Sequence, residues 1–276
     1  MLGYTRQAYY KHKTDRAKRH QELSLVRDLV MQTRGSMPRL GTRKLYSLLK
    51  PSLEKHSIKL GRDVMFNFLR AERLLIRPRK RYVQTTDSKH WLRKYPNLTK
   101  SLNIKRPEQL WVTDITYLPT RDGHLYLNMI TDAYSRKIVG YSISDNMEAR
   151  TIVPALQMAL HSRIYTHRLI HHSDRGLQYC SKDYVGIALA NKIRISMTEN
   201  GDPYENALAE RMNRTIKEEF LLDELKASKS DTIKMVHQAI ATYNHKRPHL
   251  SLNYRTPDCV HQMKKSRSHA ATGIIT

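Results

Sequence analysis

The chain has 276 residues, enough for one large core or for one core with a small appended module. Its 49 Lys and Arg outnumber 25 Asp and Glu, a net charge of +24 that calls for a polyanionic partner, nucleic acid before an anionic membrane surface. No apolar run reaches the ~18 residues of a membrane span, the opening MLGYTRQAYYKHK is no secretion signal, and Cys180 and Cys259 stand apart with no zinc-spaced quartet. The two cysteines read as reduced thiols of a cytoplasmic protein. The charge is concentrated early: residues 1–100 carry 25 basic and 7 acidic side chains, a net of +18 that leaves +6 for the rest.

Residues 14–33 predict a helix, with Leu23, Val26, Leu29 and Val30 near helical spacing, and a breaker cluster follows from Arg34 to Gly41. Two shorter helical patterns cover 42–50 and 61–74, where Leu45, Leu48 and Leu49 can pack against Val64, Phe68 and Leu69. Two short helices joined by a turn in a basic context suit a helix-turn-helix over residues 1–76, its second helix offering Arg62, Asn67, Arg70 and Arg73 to DNA. The plain alternative is a helical packing unit with solvated charges; the RPRKRY run that follows favours DNA. Residues 77–106, with Pro78, Pro96 and many cations, read as a basic linker along a phosphate backbone.

Beyond this the texture changes to β-rich runs, QLWVTDITYLP, HLYLNMITDAYS and KIVGYSISD, divided by turn-like segments. They predict three consecutive antiparallel strands. A helix at about 148–163, a strand (HRLIHHSD), a helix (SKDYVGIALANK), a short strand (RISMT) and a helix at about 205–222 follow. This order is an α/β fold of the ribonuclease H-like kind, a mixed sheet flanked by helices, over 107–225. A last helix at about 231–245 and a basic tail fill 226–276. The adjacent His171 and His172 read as buried strand-edge residues rather than metal ligands.

Three carboxylates stand out. Asp114 lies among Trp111, Val112 and Ile115, where an unpaired charge is costly, so it must be paired, hydrated or metal-bound. The bland reading is a strand-edge Asp bonded to Thr113 or Thr116. Asp174 ends a strand and opens an Asp-Arg-Gly turn, a common structural use of Asp. Glu210 follows Asp174 after 35 intervening residues on a helix whose Leu208, Met212, Ile216 and Phe220 form an apolar stripe. Glu210 and Lys217 lie only about 20° apart around that helix, off the stripe, with Arg214 beside them. These are either ordinary helical ion pairs or a metal-ligand Glu with Lys217 and Arg214 at the phosphates of DNA. Glu205, Glu218 and Glu219 are its rivals.

WVTDITY, HHSDRGLQY, ENALAERMNRTIKEE and YNHKRPHLSLNYRTP, in this order and with that 35-residue gap, resemble the OrfB-type transposases of bacterial insertion sequences, whose core is that of retroviral integrases. The likeness covers roughly 41–260, with Glu205 where relatives often carry Asp. It implies a DDE transposase in which Asp114, Asp174 and Glu210 hold two Mg²⁺ ions, Mn²⁺ able to substitute, with Asp114 between them. Cleavage at the ends of an insertion element and joining of the 3′-hydroxyl to target DNA would follow. Asn206 and Tyr179 could help shape the site. The implied partners are double-stranded DNA, further copies of this chain assembled on it, and an upstream-frame DNA-binding protein, at the bacterial nucleoid. The segment 243–257 could contact DNA or pack over the core, and the tail KKSRSHAATGIIT has no reading.

Overall fold

The computed structural model describes residues 5–77, 93–199 and 206–263. The chain divides into two compact units, Met1–Pro78 and Arg79–Thr276.

The first unit is helical. Helix α1 (Arg6–Ser36) starts earlier than expected, because Thr5 caps it by accepting from the Ala8 amide (3.2 Å). Helix α2 (Thr42–Lys55) passes through Pro51 instead of ending before it. Proline in a helix removes one backbone hydrogen bond; here buried Leu45, Leu49 and Leu53 carry the apolar face across the gap. Helix α3 (Arg62–Ala71) completes the module. Its core differs from the expected one. Val64 is 46% exposed, while Met65 and Leu69 are fully buried with Val26, Val30 and Leu45. Arg34 Nη1 donates to Leu74 O (2.6 Å), tying the first helix to the end of the third. Arg62, Asn67, Arg70 and Arg73 are all exposed, with Asn67 Oδ1 accepting from Arg70 Nη1 (2.7 Å). The rest of RPRKRY after Arg77 lies outside the described residues.

The second unit is built on a five-stranded sheet of β1 (Leu110–Thr120), β2 (Gly123–Asp132), β3 (Ile138–Ser144), β4 (Leu169–Ser173) and β5 (Ile193–Met197), in the spatial order β3-β2-β1-β4-β5. The first three pair antiparallel and β4 and β5 add in parallel, so the sheet is mixed, as the strand order in the sequence predicted. Helices α4 (Val153–His161) and α5 (Lys182–Ala190) cover one face, Leu156 of α4 and Ala188 of α5 packing with Trp111, Ile130, Leu169 and Ile193. Gly140 is required there, since a Cβ on it would lie 2.1 Å from Ala155 O of α4. Helix α6 (Ala207–Glu219) covers the other face through Ala209, over Leu110, Val112 and Ile170. Helix α7 (Lys229–His245) begins at Ser228, whose hydroxyl accepts from the Asp231 amide.

Residues 93–106 pack on this unit rather than running free: Leu98, Leu102 and Ile104 join the α6-side core, and the Leu98 amide donates to Ser196 Oγ (2.8 Å). His171 and His172 are buried as expected, but on the interior strand β4 rather than at an edge, bonded to Tyr184 Oη (2.9 Å) and Ser196 Oγ (2.8 Å). Of the segment 243–257, the first residues pack. Arg247, 4% exposed, donates twice to Glu219 (2.6 and 2.7 Å), and both amide atoms of Asn244 bond the backbone of Ile138. Cys180 and Cys259 form no disulfide among the described residues. Among the described residues no helix is long and apolar enough to cross a membrane. The loop 200–205, with Glu205, and the tail 264–276 lie outside the described residues.

Candidate active site

Register brings the first two carboxylates level. Parallel pairing of β1 with β4 runs Leu110↔Ile170 to Val112↔His172, and the same offset carried two residues on sets Asp114 opposite Asp174. The pairing has ended there: Asp174 lies just past the carboxyl end of β4, where open α/β sheets bind ligands, while Asp114 is midway along β1, still paired with Met129 of β2 but open on its β4 side. Alternation along β1 then decides which face Asp114 serves. Leu110 and Val112 belong to the α6-side core and Trp111 to the other, so the next even position, Asp114, faces α6.

Asp114 is 7% exposed and accepts two hydrogen bonds, from the Ile115 amide at Oδ1 (2.9 Å) and from Asn213 Nδ2 at Oδ2 (2.9 Å). It bonds neither Thr113 nor Thr116, so that local pairing falls, although β1 has already lost its β4 partner at this position. Burial first, then Asp174, push its pKa up to about 8, Glu210 adding to the rise and the two donors opposing it. Asp174, half-buried, accepts the Gly176 amide at Oδ1 (2.9 Å), the local turn expected of Asp-Arg-Gly. Gly176 is tight, because a Cβ there would lie 2.9 Å from that oxygen.

Glu210 lies in the first turn of α6, with the Glu210 amide bonded back to Asn206 O (3.2 Å). Its pKa is raised by burial and by Asp174, with Arg214 pulling the other way. The negative charges of all three groups are therefore felt within one site. Among the described residues no three His, Cys, Asp or Glu groups close on a single point for one metal ion. The donors are nonetheless all oxygen, and the three carboxylates raise one another's proton affinity, which fits hard divalent cations shared between carboxylates rather than one fully caged ion. Glu219 is excluded as a rival of Glu210 by its bidentate bond to Arg247.

The expected helpers separate. Asn206 Nδ2 donates to Thr113 O (3.1 Å), joining the start of α6 to β1 beside Asp114, and Asn206 Oδ1 is buried with no hydrogen-bond partner among the described residues. Tyr179, 2% exposed, donates to Asn128 Oδ1 (2.9 Å) and lies 3.3 Å from Thr113 Oγ1. Burial, Asp174 and Asp114 all raise its pKa, so its hydroxyl stays protonated behind the site. Arg214 is exposed. Lys217 turns onto β1 instead of away from the protein: its Nζ donates to Thr116 Oγ1 (3.2 Å) and stands 4.9 Å from the centre of the Tyr117 ring. Burial lowers its pKa, while Asp223, Glu218 and Asp114 oppose this.

Sequence reasoning missed Asn213, which sits three residues after Glu210, one turn along α6. An amide on the buried side of an amphipathic helix was the available signal, because such a group needs a polar partner.

Models of the Integrase core domain match residues 104–203 and 191–257. An uncharacterized 31 kDa protein of insertion element IS600 from Shigella sonnei is 33% identical over 264 residues, 93% of this chain and 94% of that one. The transposase for insertion sequence element IS904 of Lactococcus lactis is 34% identical over 176 residues, 61% of this chain and 70% of that one. Transposase InsF for insertion sequence IS3A of Escherichia coli is 43% identical over 115 residues, 42% and 40% of the two chains. Among solved structures, the HTLV-2 integrase catalytic core domain in complex with magnesium is similar at a TM-score of 0.46 and 18% identity, over 56% of this chain and 97% of that one. With a relative this similar over nearly its whole length and integrase-core matches on the unit that carries Asp114, Asp174 and Glu210, the chain belongs to the insertion-sequence transposases with an integrase core, enzymes that process DNA as polynucleotidyl transferases.

Proposed function

We propose that this transposase cleaves the ends of its insertion element and joins the freed 3′-hydroxyl to target DNA by metal-dependent phosphoryl transfer, with Asp114, Asp174 and Glu210 as its catalytic and metal-holding residues. The observation that carries this reading is Asp114 itself: a strand carboxylate with a pKa pushed up to about 8 by burial and two further carboxylates. An isolated charge there is costly, and divalent cations relieve it.

Two Mg²⁺ ions, or Mn²⁺ in their place, would supply at this site a deprotonated water or a polarised DNA 3′-hydroxyl and stabilise the leaving 3′ oxygen. Asp114, Asp174 and Glu210 would hold them. Asn213 keeps Asp114 turned toward α6, so that the strand and helix carboxylates face one volume. Asn206 pins the start of α6 to β1, and the Thr113–Asn128–Tyr179 network closes the back of the site to water. No side chain needs to bond covalently to DNA, and the order of the two steps is hydrolysis, then transesterification.

DNA is the partner this reading requires, element ends and target alike. Residues 1–76 act as a helix-turn-helix region through Arg62, Asn67, Arg70 and Arg73, 77–106 as a basic connection, 107–225 as the catalytic core and 226–276 as its C-terminal support. Two ends must be handled together, so copies of the chain assemble on DNA, with an upstream-frame protein adding end recognition. The test is strand transfer by the purified chain on labelled element-end DNA with Mg²⁺, beside Glu210→Gln. Joined product from the parent and none from the variant is the expected result; equal product from both overturns the assignment.

A further inference from the structure

Tyr117 lies on β1, three residues past Asp114 and therefore about 10 Å along the strand. It is 57% exposed, more than any other large apolar or aromatic side chain described in the second unit. Past Val112 β1 pairs with β2 alone, so the ring stands at an open strand edge among polar neighbours, its Cβ directed to the face opposite that of Asp114. Lys217 Nζ stands 4.9 Å from the ring centre and is itself fastened to Thr116 Oγ1, and the His124 ring meets Tyr117 edge-on at 5.9 Å between centroids. The ring is thus braced by β1, β2 and α6, the elements that also carry or flank Asp114 and Glu210.

We propose that Tyr117 is a stacking platform for a nucleobase that has left the duplex close to the reacting phosphate. The proposal rests on the reading of Asp114, Asp174 and Glu210 as the reaction centre. Three observations point to a base rather than a phosphate. Lys217, the cation of this corner, is half-buried and turned onto Thr116 and Tyr117. Glu218, Asp223 and Asp114 lie near enough to act on its charge, which makes the corner a poor phosphate seat. The feature left exposed is an aromatic ring, and base–aromatic stacking is indifferent to sequence because every base has a π-face. The ring is about 10 Å from Asp114 along the strand, and Lys217 of α6 reaches both Thr116 and this ring at the open edge of β1, so a freed end a few nucleotides long can span from the carboxylates to the platform. Opening a duplex end costs a few kcal/mol per base, and a braced ring that receives the freed base offsets part of that.

The experiment uses the full chain and a duplex of the inverted repeat that flanks its coding frame, with 2-aminopurine replacing each of the terminal bases in turn. Fluorescence is read without metal on the Asp114→Asn background, so stacking is measured apart from chemistry. Quenching at one terminal position is expected with Tyr117 and with Tyr117→Phe, and its loss with Tyr117→Ala. Cleavage of a fully paired end by otherwise unaltered Tyr117→Ala falls about 10- to 100-fold, the effect of removing one base–ring stack. Substrates with mismatched terminal bases recover most of that loss, and Tyr117→Phe cuts both substrates like the parent. Equal quenching by Tyr117→Ala, or an equal loss on paired and mismatched ends, overturns the platform, the latter pointing to a contact between copies of the chain. A parent that binds but never cuts with Mg²⁺ or Mn²⁺ overturns the proposed reaction instead, and quenching still decides Tyr117.

Discussion

Two acidic clusters share the second unit and behave in opposite ways. Glu108, just before β1, is 1% exposed and accepts from the amides of Ile164 (2.7 Å) and Tyr165 (2.9 Å), with Arg163 Nε at 3.4 Å and His261 Nε2 at 3.5 Å. Asp132, at the end of β2, is fully buried and accepts from the Glu108 amide and from both the amide and hydroxyl of Ser135, each at 2.7 Å. His261 closes this cluster; burial resists its charge, but Asp132 and Glu108 outweigh that and raise its pKa. Asp114 receives, among the described residues, only two bonds, both from uncharged groups, and faces Asp174 and Glu210 besides. Burial of a carboxylate is therefore no mark of function here. The mark is whether the fold supplies the compensating donors and charges.

The largest effects test that division directly. Asp114→Asn should abolish detectable cleavage while raising the thermal stability of the metal-free protein near pH 8, since an amide keeps the shape and sheds the repulsion. Melting curves and an end-cleavage assay read the two together, and a variant that still cuts, or that is less stable at that pH, breaks the comparison. Glu108→Ala should do the reverse. It leaves Arg163 and His261 in a dry site without their partner, a loss of about 3–5 kcal/mol typical of half a buried pair. Urea unfolding of the second unit measures it, and a loss below ~1 kcal/mol would mean that water already reaches the cluster.

A pH series sharpens the contrast. The folded protein binds the Asp114 proton more tightly than the unfolded chain, with the pKa rising from 3.8 to about 8. Its contribution to stability is thus fully present below pH 4 and is lost as pH rises through 8, a slope of up to ~1.4 kcal/mol per pH unit in the metal-free protein. Asp114→Asn removes that slope and Glu108→Gln leaves it, and adding Mg²⁺ should shift the loss toward lower pH while restoring stability above it. Unfolding of the metal-free protein between pH 4 and 8 that is the same with Asp or Asn at position 114 would sink this account.

The smallest effect concerns the first unit. Replacing Arg62 and Arg70 together by Ala should weaken DNA binding and flatten the salt dependence of log K by about 0.9 for each phosphate no longer neutralised. Cleavage of DNA already bound at saturating concentration should stay near the parental rate, which separates this surface from the carboxylate cluster. An unchanged salt slope would show that these arginines do not meet phosphates.

Element types and their order were legible from the chain alone, because each strand and helix carries its own apolar period: the three β-rich runs became β1, β2 and β3, and the 148–163 pattern became α4. The three carboxylates were legible from their spacing and their neighbours. Helix α2 was read short at Pro51, since a local breaker signal says nothing of a buried face strong enough to carry the helix past it. Val64 was placed in the core in error, because the period of α3 fits Val64 or Met65 and only packing against α2 chooses. Local pattern thus determined the fold class, the charged first third and which carboxylates to watch. Tertiary structure decided that β1 and β4 pair in the register that levels Asp114 with Asp174. It also turned Asn213 onto Asp114, Lys217 onto Tyr117 and Arg247 onto Glu219. Those pairings join residues 28 to 100 positions apart in the chain, and no periodicity reports which distant partner a side chain meets once the layers close.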